Sequence, residues 1–121
     1  MMVVLDTNFV TLPAQFGVDI FCEISEKIPG ARLVTVSQVV DELKRLDKKG
    51  RVGLSLIKKF GVKVVKKEGG TDDALLELAD ENKGVLCTND KELKKRALEK
   101  KIAVMFMRKK KILELAGGLN V

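Results

Sequence analysis

The hydrophobic residues of this chain alternate between short β-type runs and longer segments of helical periodicity. Runs rich in Val, Leu and Ile are followed by stretches whose apolar positions recur every three or four residues. Such alternation is typical of βαβ units, in which helices cover both faces of a parallel sheet. The predicted strands are 3–5, 33–36, 62–65, 84–87 and 102–106. We therefore predict an α/β fold.

The segments between these strands carry apolar stripes at helical spacing. Phe16, Ile20 and Ile24 predict a helix over 15–28, which ends before Pro29. The other predicted segments are 37–46 with Ser37 as N-cap, 52–60 after a basic turn over 47–51, 72–79 with Thr71 as N-cap, 91–101, and a closing helical turn over 112–116. No repeat or linker interrupts the pattern, so we expect one domain over residues 1–121.

Composition supports one globular unit and points to a polyanionic partner. The chain has 121 residues, of which 45% are hydrophobic and 33% charged, enough for one sizeable core. Its formal charge is +6, from 23 Lys and Arg against 17 Asp and Glu. This excess favours a polyanionic partner, although a lysine-rich solubilising surface explains the charge equally well.

Several residue types are missing, and their absence narrows the chemistry. There is no histidine, which excludes Ser-His-Asp and Cys-His nucleophiles and imidazole metal ligands. Cys22 and Cys87 have no CxxC spacing, so we expect both to be buried thiols in a reducing compartment. No apolar run has the length of a membrane span and no signal peptide is evident, so we expect a cytoplasmic protein without a membrane partner.

Four carboxylates stand where a parallel sheet would gather them at one edge. Asp6 and Asp90 directly follow predicted strands. Glu42 borders the apolar stripe of one helix, and Asp72 opens another. Taken singly, each acid could be a turn, capping or salt-bridge residue. Together, without histidine, they favour Mg²⁺ or Mn²⁺, hard cations that prefer oxygen ligands and bind outside the C-terminal ends of strands.

Helical geometry selects between adjacent acids at two of these positions. At about 100° per residue, Asp41 falls opposite the apolar stripe of its helix, whereas Glu42 lies at the border. By the same measure Asp72 falls on the buried face of its helix and Asp73 points away. Glu42 and Asp72 are therefore the candidate ligands, and Asp73 is assigned to the helix dipole.

These motifs carry a family resemblance. The motifs that carry it are Leu-Asp-Thr-Asn at residues 5–8, a Glu on the helix after Ser37, Asp72 followed by Ala79, and Thr-Asn-Asp at residues 88–90. Through them the chain resembles the PIN-domain nucleases over essentially its whole length. The resemblance implies a three-layer α/β/α sandwich with a five-stranded parallel sheet in the order 3-2-1-4-5. It also implies hydrolysis of RNA with one or two bound Mg²⁺ or Mn²⁺ ions.

The resemblance also assigns roles to individual residues. Metal-site and catalytic roles fall on Asp6, Glu42, Asp72 and Asp90, while Glu92 is the nearest candidate for a further acid. The expected partners of these carboxylates or of phosphate are Thr7, Asn8, Ser37, Thr88 and Asn89. The family includes ribosomal-RNA processing enzymes and toxins, so an antitoxin, ribosome-assembly proteins or a homodimer are the implied protein partners.

Two basic clusters directly follow proposed ligands and could form an RNA track. They comprise Lys44, Arg45, Lys48, Lys49 and Arg51 after Glu42, and Lys91, Lys94, Lys95 and Arg96 after Asp90; a third run covers 108–111. Solvated helix faces explain the same clusters equally well. Phosphate contacts would position a strand without reading its sequence.

Two other functions are compatible with parts of the pattern. An inactive RNA-binding or scaffold domain would bind RNA without cleaving it. A phosphoryl-transfer fold would phosphorylate Asp6, but the DxD pattern of haloacid dehalogenases is broken by Asn8. The complete acid set favours the metal-dependent nuclease over both.

Overall fold

The computed structural model describes residues 1–109 and 112–117, and within them one sheet of six strands runs in the order β3-β2-β1-β4-β5-β6. The first five strands are parallel, and β6 is antiparallel to β5. The strands are β1 Met2–Leu5, β2 Arg32–Val36, β3 Lys63–Val65, β4 Val85–Cys87, β5 Ala103–Arg108 and β6 Ile112–Ala116. The predicted α/β fold and the parallel order 3-2-1-4-5 are confirmed, with one strand added.

Helices flank this sheet. They are α1 Thr7–Val10, α2 Leu12–Phe16, α3 Ile20–Lys27, α4 Ser37–Arg45, α5 Lys48–Lys59, α6 Thr71–Glu81 and α7 Lys91–Glu99. Helix α4 packs on β2 and β3, α6 packs on β1, β2 and β4, and α7 packs on β5. No helix in the described part of the chain is long and apolar enough to cross a membrane.

Strand β1 is the centre of the core. Val3, Val4 and Leu5 are fully buried, and the strand pairs with β2 on one side and β4 on the other. Burial on both faces explains why the run is continuously apolar instead of alternating. Each such side chain stabilises the fold by about 1.5–3 kcal/mol. The position after Leu5 is therefore fixed by the best-packed element of the molecule.

The predicted single helix over 15–28 is wrong. Gly17 ends α2 in the left-handed region, with φ of 66°, and Asp19 caps α3 by accepting the main-chain N–H of Cys22 at 3.0 Å. The apolar residues Phe16 and Ile20 keep helical spacing across this break, so periodicity alone does not reveal it. Cys22 is exposed, contrary to expectation, because the residues that α3 buries are neighbours on its other face. Cys87 is buried as predicted.

The predicted basic turn over 47–51 is also wrong, because α5 already begins at Lys48. Gly50, which suggested a turn, serves close packing of two helices instead. A Cβ atom at Gly50 would lie 2.1 Å from the main-chain oxygen of Leu43 on α4. The glycine thus allows α5 to approach α4 closely, directly beside the segment that carries Glu42.

The closing segment over 112–116 is a strand and not a helical turn. It pairs with β5 in the register Met105↔Leu115 and Met107↔Leu113. Leu113 is 1% exposed and Leu115 is 41% exposed, which is the alternation of a strand with one buried face. Positions 110 and 111, the last two of the basic run 108–111, lie outside the described residues.

Candidate functional site

Asp6 stands at the junction of β1 and α1 and is buried, with only 5% of its surface exposed. Its main-chain N–H donates to the carbonyl of Cys87 at 3.2 Å, which ties it to β4. Its Oδ1 accepts the main-chain N–H of Phe9 at 2.7 Å, and its Oδ2 accepts the hydroxyl of Thr88. One side chain therefore caps a helix and joins two neighbouring strand ends.

The electrostatic surroundings of Asp6 oppose its negative charge. Burial raises its pKa to about 6, although the hydrogen bonds from Thr88 and Phe9 lower it. The negative charges of Asp72 and Asp90 raise this pKa further. A buried carboxylate in a negative field gains stability from a proton or a cation.

Thr88 and Asn89 organise the turn after β4. The hydroxyl of Thr88 donates to Asp6 and accepts the main-chain N–H of Asp90 at 3.0 Å. Asp90 caps α7 by accepting the N–H of Leu93 at 2.9 Å. The Asn89 side chain pairs with the main chain of Met107 at 2.8 and 3.2 Å, which extends the contact between β4 and β5 beyond Cys87. Asn89 thus links the C-terminal ends of β4 and β5, and its predicted contact with phosphate stays a prediction.

Glu42 is held between two threonine hydroxyls. Thr7 donates to its Oε1 at 2.5 Å, and Thr71 donates to its Oε2. Glu42 is half-buried while Asp41 is exposed, as helical geometry predicted. The hydroxyl of Thr71 is free to reach Glu42 because Gly70, not Thr71, occupies the N-cap position of α6. Sequence reasoning missed this contact because Thr71 was interpreted as the cap.

Asp72 lies in the electrostatic field of the other acids. Partial burial raises its pKa most, the charge of Asp90 raises it further, Arg96 lowers it, and Glu42 raises it. Its side chain is nevertheless exposed, contrary to the predicted buried face. The buried face of α6 begins only at Ala74, because the first helical turn extends beyond the core.

The hydrogen bonds of Ser37 connect it to its neighbour Gln38 and to the loop before α6. Ser37 accepts the N–H of Lys67 at 3.3 Å, and Gln38 donates from Nε2 to the carbonyls of Lys67 and Gly69 at 3.1 and 2.9 Å. These contacts secure the loop that leads to Asp72. Asn8 is exposed at the start of α1.

The donor set fits a hard divalent cation bound partly through water. Among the described residues, no group of three acids or cysteines is arranged to hold one ion directly. Mg²⁺ usually keeps several waters and takes only one or two protein carboxylates, so a looser set suffices. The raised pKa of buried Asp6 beside Asp72 and Asp90 indicates negative charge that a cation would compensate.

The predicted basic residues differ in their surroundings. The cluster at the end of α4 and the start of α5 is exposed, namely Lys44, Arg45, Lys48, Lys49 and Arg51. On α7, Lys91 and Lys95 are exposed, and the Nζ of Lys94 lies 3.6 Å from the ring centroid of Phe106. Arg96 forms an ion pair with Asp73 at 2.5 Å.

The chain shares sequence with a known family and with one ribonuclease along most of its length. A family model described as "PIN like domain" covers residues 3–110. The chain is 36% identical over 126 positions to Ribonuclease VapC4 of Methanocaldococcus jannaschii. That alignment covers 95% of this chain and 96% of the relative.

Two solved structures share the fold. The PIN domain endonuclease Utp24 gives a TM-score of 0.84 at 23% identity, over 99% of this chain and 94% of that one. VapBC-1 from nontypeable Haemophilus influenzae gives a TM-score of 0.60 at 20% identity, over 82% of this chain and 94% of that one. At these identities the two likenesses concern the fold alone. Because the family model and the VapC4 alignment each span most of the sequence, the chain belongs to the PIN-like domain family.

Proposed function

We propose that the protein is a divalent-metal-dependent endoribonuclease whose site is formed by Asp6, Glu42, Asp72 and Asp90. The observation that carries this proposal is the buried Asp6 carboxylate, whose pKa of about 6 reflects burial and the neighbouring charges of Asp72 and Asp90. RNA as the substrate is supported by the similarity to Ribonuclease VapC4 and by the net charge of +6.

In this proposal the side chains hold a cation and orient it toward RNA. A bound Mg²⁺ or Mn²⁺ would supply an activated water and neutralise charge on the phosphate. Asp6 and Asp90 would hold the ion at the ends of β1 and β4, with Thr88 fixing their separation. Glu42, held by Thr7 and Thr71, and Asp72 would complete the set. Without histidine, the proton leaves through a carboxylate or to solvent.

The exposed basic cluster at the end of α4 and the start of α5 would bind the RNA backbone, together with the lysines and the arginine of α7. The family resemblance implies two settings for this activity, a toxin held by an antitoxin and a processing nuclease in ribosome assembly. A cytoplasmic homodimer without membrane contact is the arrangement we expect in either setting.

The direct test is cleavage of structured and unstructured RNA with Mg²⁺, Mn²⁺ or EDTA. We expect Asp6→Asn and Asp90→Asn to lower the rate on the order of 100-fold or more. Asp41→Asn is the matched control, because Asp41 is exposed on α4 and its substitution removes one negative charge, as the two test variants do. Cleavage that persists in EDTA, or in both variants, would exclude a metal-dependent nuclease at this site.

An RNA-binding domain without activity is the second candidate. It is favoured by the lack, among the described residues, of a group of three acids arranged to hold one ion directly. This alternative predicts salt-sensitive RNA binding without cleavage. It also predicts that Mn²⁺ does not raise the melting temperature, whereas a metal site would.

A further inference from the structure

An ion pair joins the first turn of α6 to α7 beside the carboxylates. The Nη2 atom of Arg96 lies 2.5 Å from Oδ1 of Asp73. Both side chains are accessible, with 42% of Arg96 and 71% of Asp73 exposed. Asp73 directly follows Asp72, so the pair lies at the rim of the proposed metal site.

The guanidinium of Arg96 acts on the site as well as on Asp73. The hydrogen bond that Arg96 donates to Asp73 raises the pKa of Arg96, and the charge of Asp72 raises it further. Reciprocally, the charge of Arg96 lowers the pKa of Asp72. Arg96 is therefore within electrostatic reach of a residue that would hold the cation, where a scissile phosphate would also lie.

A carboxylate and a phosphodiester offer the same kind of oxygen acceptors to a guanidinium. The Asp73 carboxylate therefore binds the guanidinium of Arg96 in the way that an RNA phosphate would. An exposed ion pair of this kind is weak, so a phosphate can replace the carboxylate.

We propose that Asp73 is an intramolecular competitor that occupies Arg96 until a phosphate of single-stranded RNA displaces it. Asp73 thereby lowers RNA affinity, and Arg96 becomes a phosphate contact only after the ion pair opens. This inference rests on the proposed function, since it takes RNA as the ligand. The opposing interpretation is that the pair only ties α6 to α7.

The test measures binding of fluorescein-labelled single-stranded RNA by anisotropy in EDTA, so that cleavage does not interfere. We expect Asp73→Asn to tighten binding about two- to fivefold, the range expected for an exposed ion pair. The plot of log affinity against log salt should keep its slope in Asp73→Asn, because the same phosphate contact forms once the ion pair has opened, and should become about 0.7 shallower in Arg96→Gln, which loses one contact on a single strand. Arg96→Gln should weaken binding, and Asp73→Asn should have no effect in the Arg96→Gln background.

Asp80→Asn is the charge-matched control, because Asp80 is exposed near the end of the same helix. At physiological salt its charge is screened from a phosphate at Arg96, so we expect less than about a twofold change and an unchanged slope. Equal tightening by Asp80→Asn would overturn the proposal in favour of a general charge effect. Unchanged or weaker binding by Asp73→Asn, with a lower melting temperature, would overturn it in favour of a structural tie.

The result also separates this inference from the proposed activity. If the variants behave as expected but the wild-type protein does not cleave RNA with Mn²⁺, the competitor role stands and the nuclease proposal fails. If the wild-type protein cleaves RNA but Asp73→Asn leaves the RNA affinity unchanged, the nuclease proposal stands and the competitor role is overturned. Absence of RNA binding by the wild-type protein overturns the competitor role.

Discussion

The hydroxyl of Thr88 donates to the buried carboxylate of Asp6 across the boundary between β4 and β1. The same hydroxyl accepts the main-chain N–H of Asp90 at 3.0 Å. Thr88 is fully buried and Asp6 is 5% exposed, so the Asp6 carboxylate lacks ready access to water as a substitute partner. One hydroxyl thus sets the relative positions of two proposed metal ligands.

Thr88→Val is expected to remove both hydrogen bonds and to destabilise the fold by about 1–3 kcal/mol. Because the Thr88 hydrogen bond lowers the pKa of Asp6, this variant should also shift the acidic limb of the cleavage profile to higher pH. Urea unfolding and pH–rate profiles measure the two effects. Thr88→Ser is the control and should retain both properties. Equal behaviour of the Val and Ser variants would contradict a role for the hydroxyl.

Thr71→Val should release one oxygen of Glu42 while leaving the Thr7 contact in place. Loss of a residue that orients a metal ligand typically weakens metal affinity about 10–100-fold. We therefore expect cleavage to require more Mn²⁺ while the melting temperature without metal changes little. Thr71→Ser should restore the original Mn²⁺ requirement. A Thr71→Val protein with an unchanged Mn²⁺ curve would show that Thr7 alone positions Glu42.

The raised pKa of Asp6 predicts how stability depends on pH. Its pKa is about 6 in the folded chain against the ordinary aspartate pKa of 3.8 in the unfolded chain, so the folded state binds this proton more tightly. The contribution of protonated Asp6 to the free energy of unfolding is fully present below pH 3.8 and is lost as the pH rises through 6. The loss is on the order of 3 kcal/mol.

Asp6→Asn cannot ionise and should therefore be more stable than the wild-type protein at pH 8, with the difference shrinking toward pH 4. Mn²⁺ should raise the wild-type melting temperature more at pH 7.5 than at pH 5, because protons compete with the cation for Asp6. Denaturation across this pH range measures both effects. A less stable Asp6→Asn at pH 8 would show that the hydrogen bonds of the carboxylate outweigh its burial.

Sequence patterns predicted the structural features that are determined by residues close together along the chain. The buried β1 run, the strand order and the border position of Glu42 each follow from periodicity or from the family motifs. The Thr71–Glu42 contact and the Arg96–Asp73 pair did not, because both depend on how separate helices meet in space. Strand β6 was missed since a short apolar run acquires its conformation from the open edge of β5.

Gly50 offers a test of helix packing next to the site. Gly50→Ala would place a methyl group 2.1 Å from the rigid main-chain oxygen of Leu43, so α5 must move away from α4. Such overpacking typically costs about 1–3 kcal/mol. Gly70→Ala is the control, since its Cβ would meet no atom within 4 Å and its φ of −70° suits alanine. Urea unfolding should show a lower midpoint for Gly50→Ala alone, and equal midpoints would mean that α5 shifts without loss of packing.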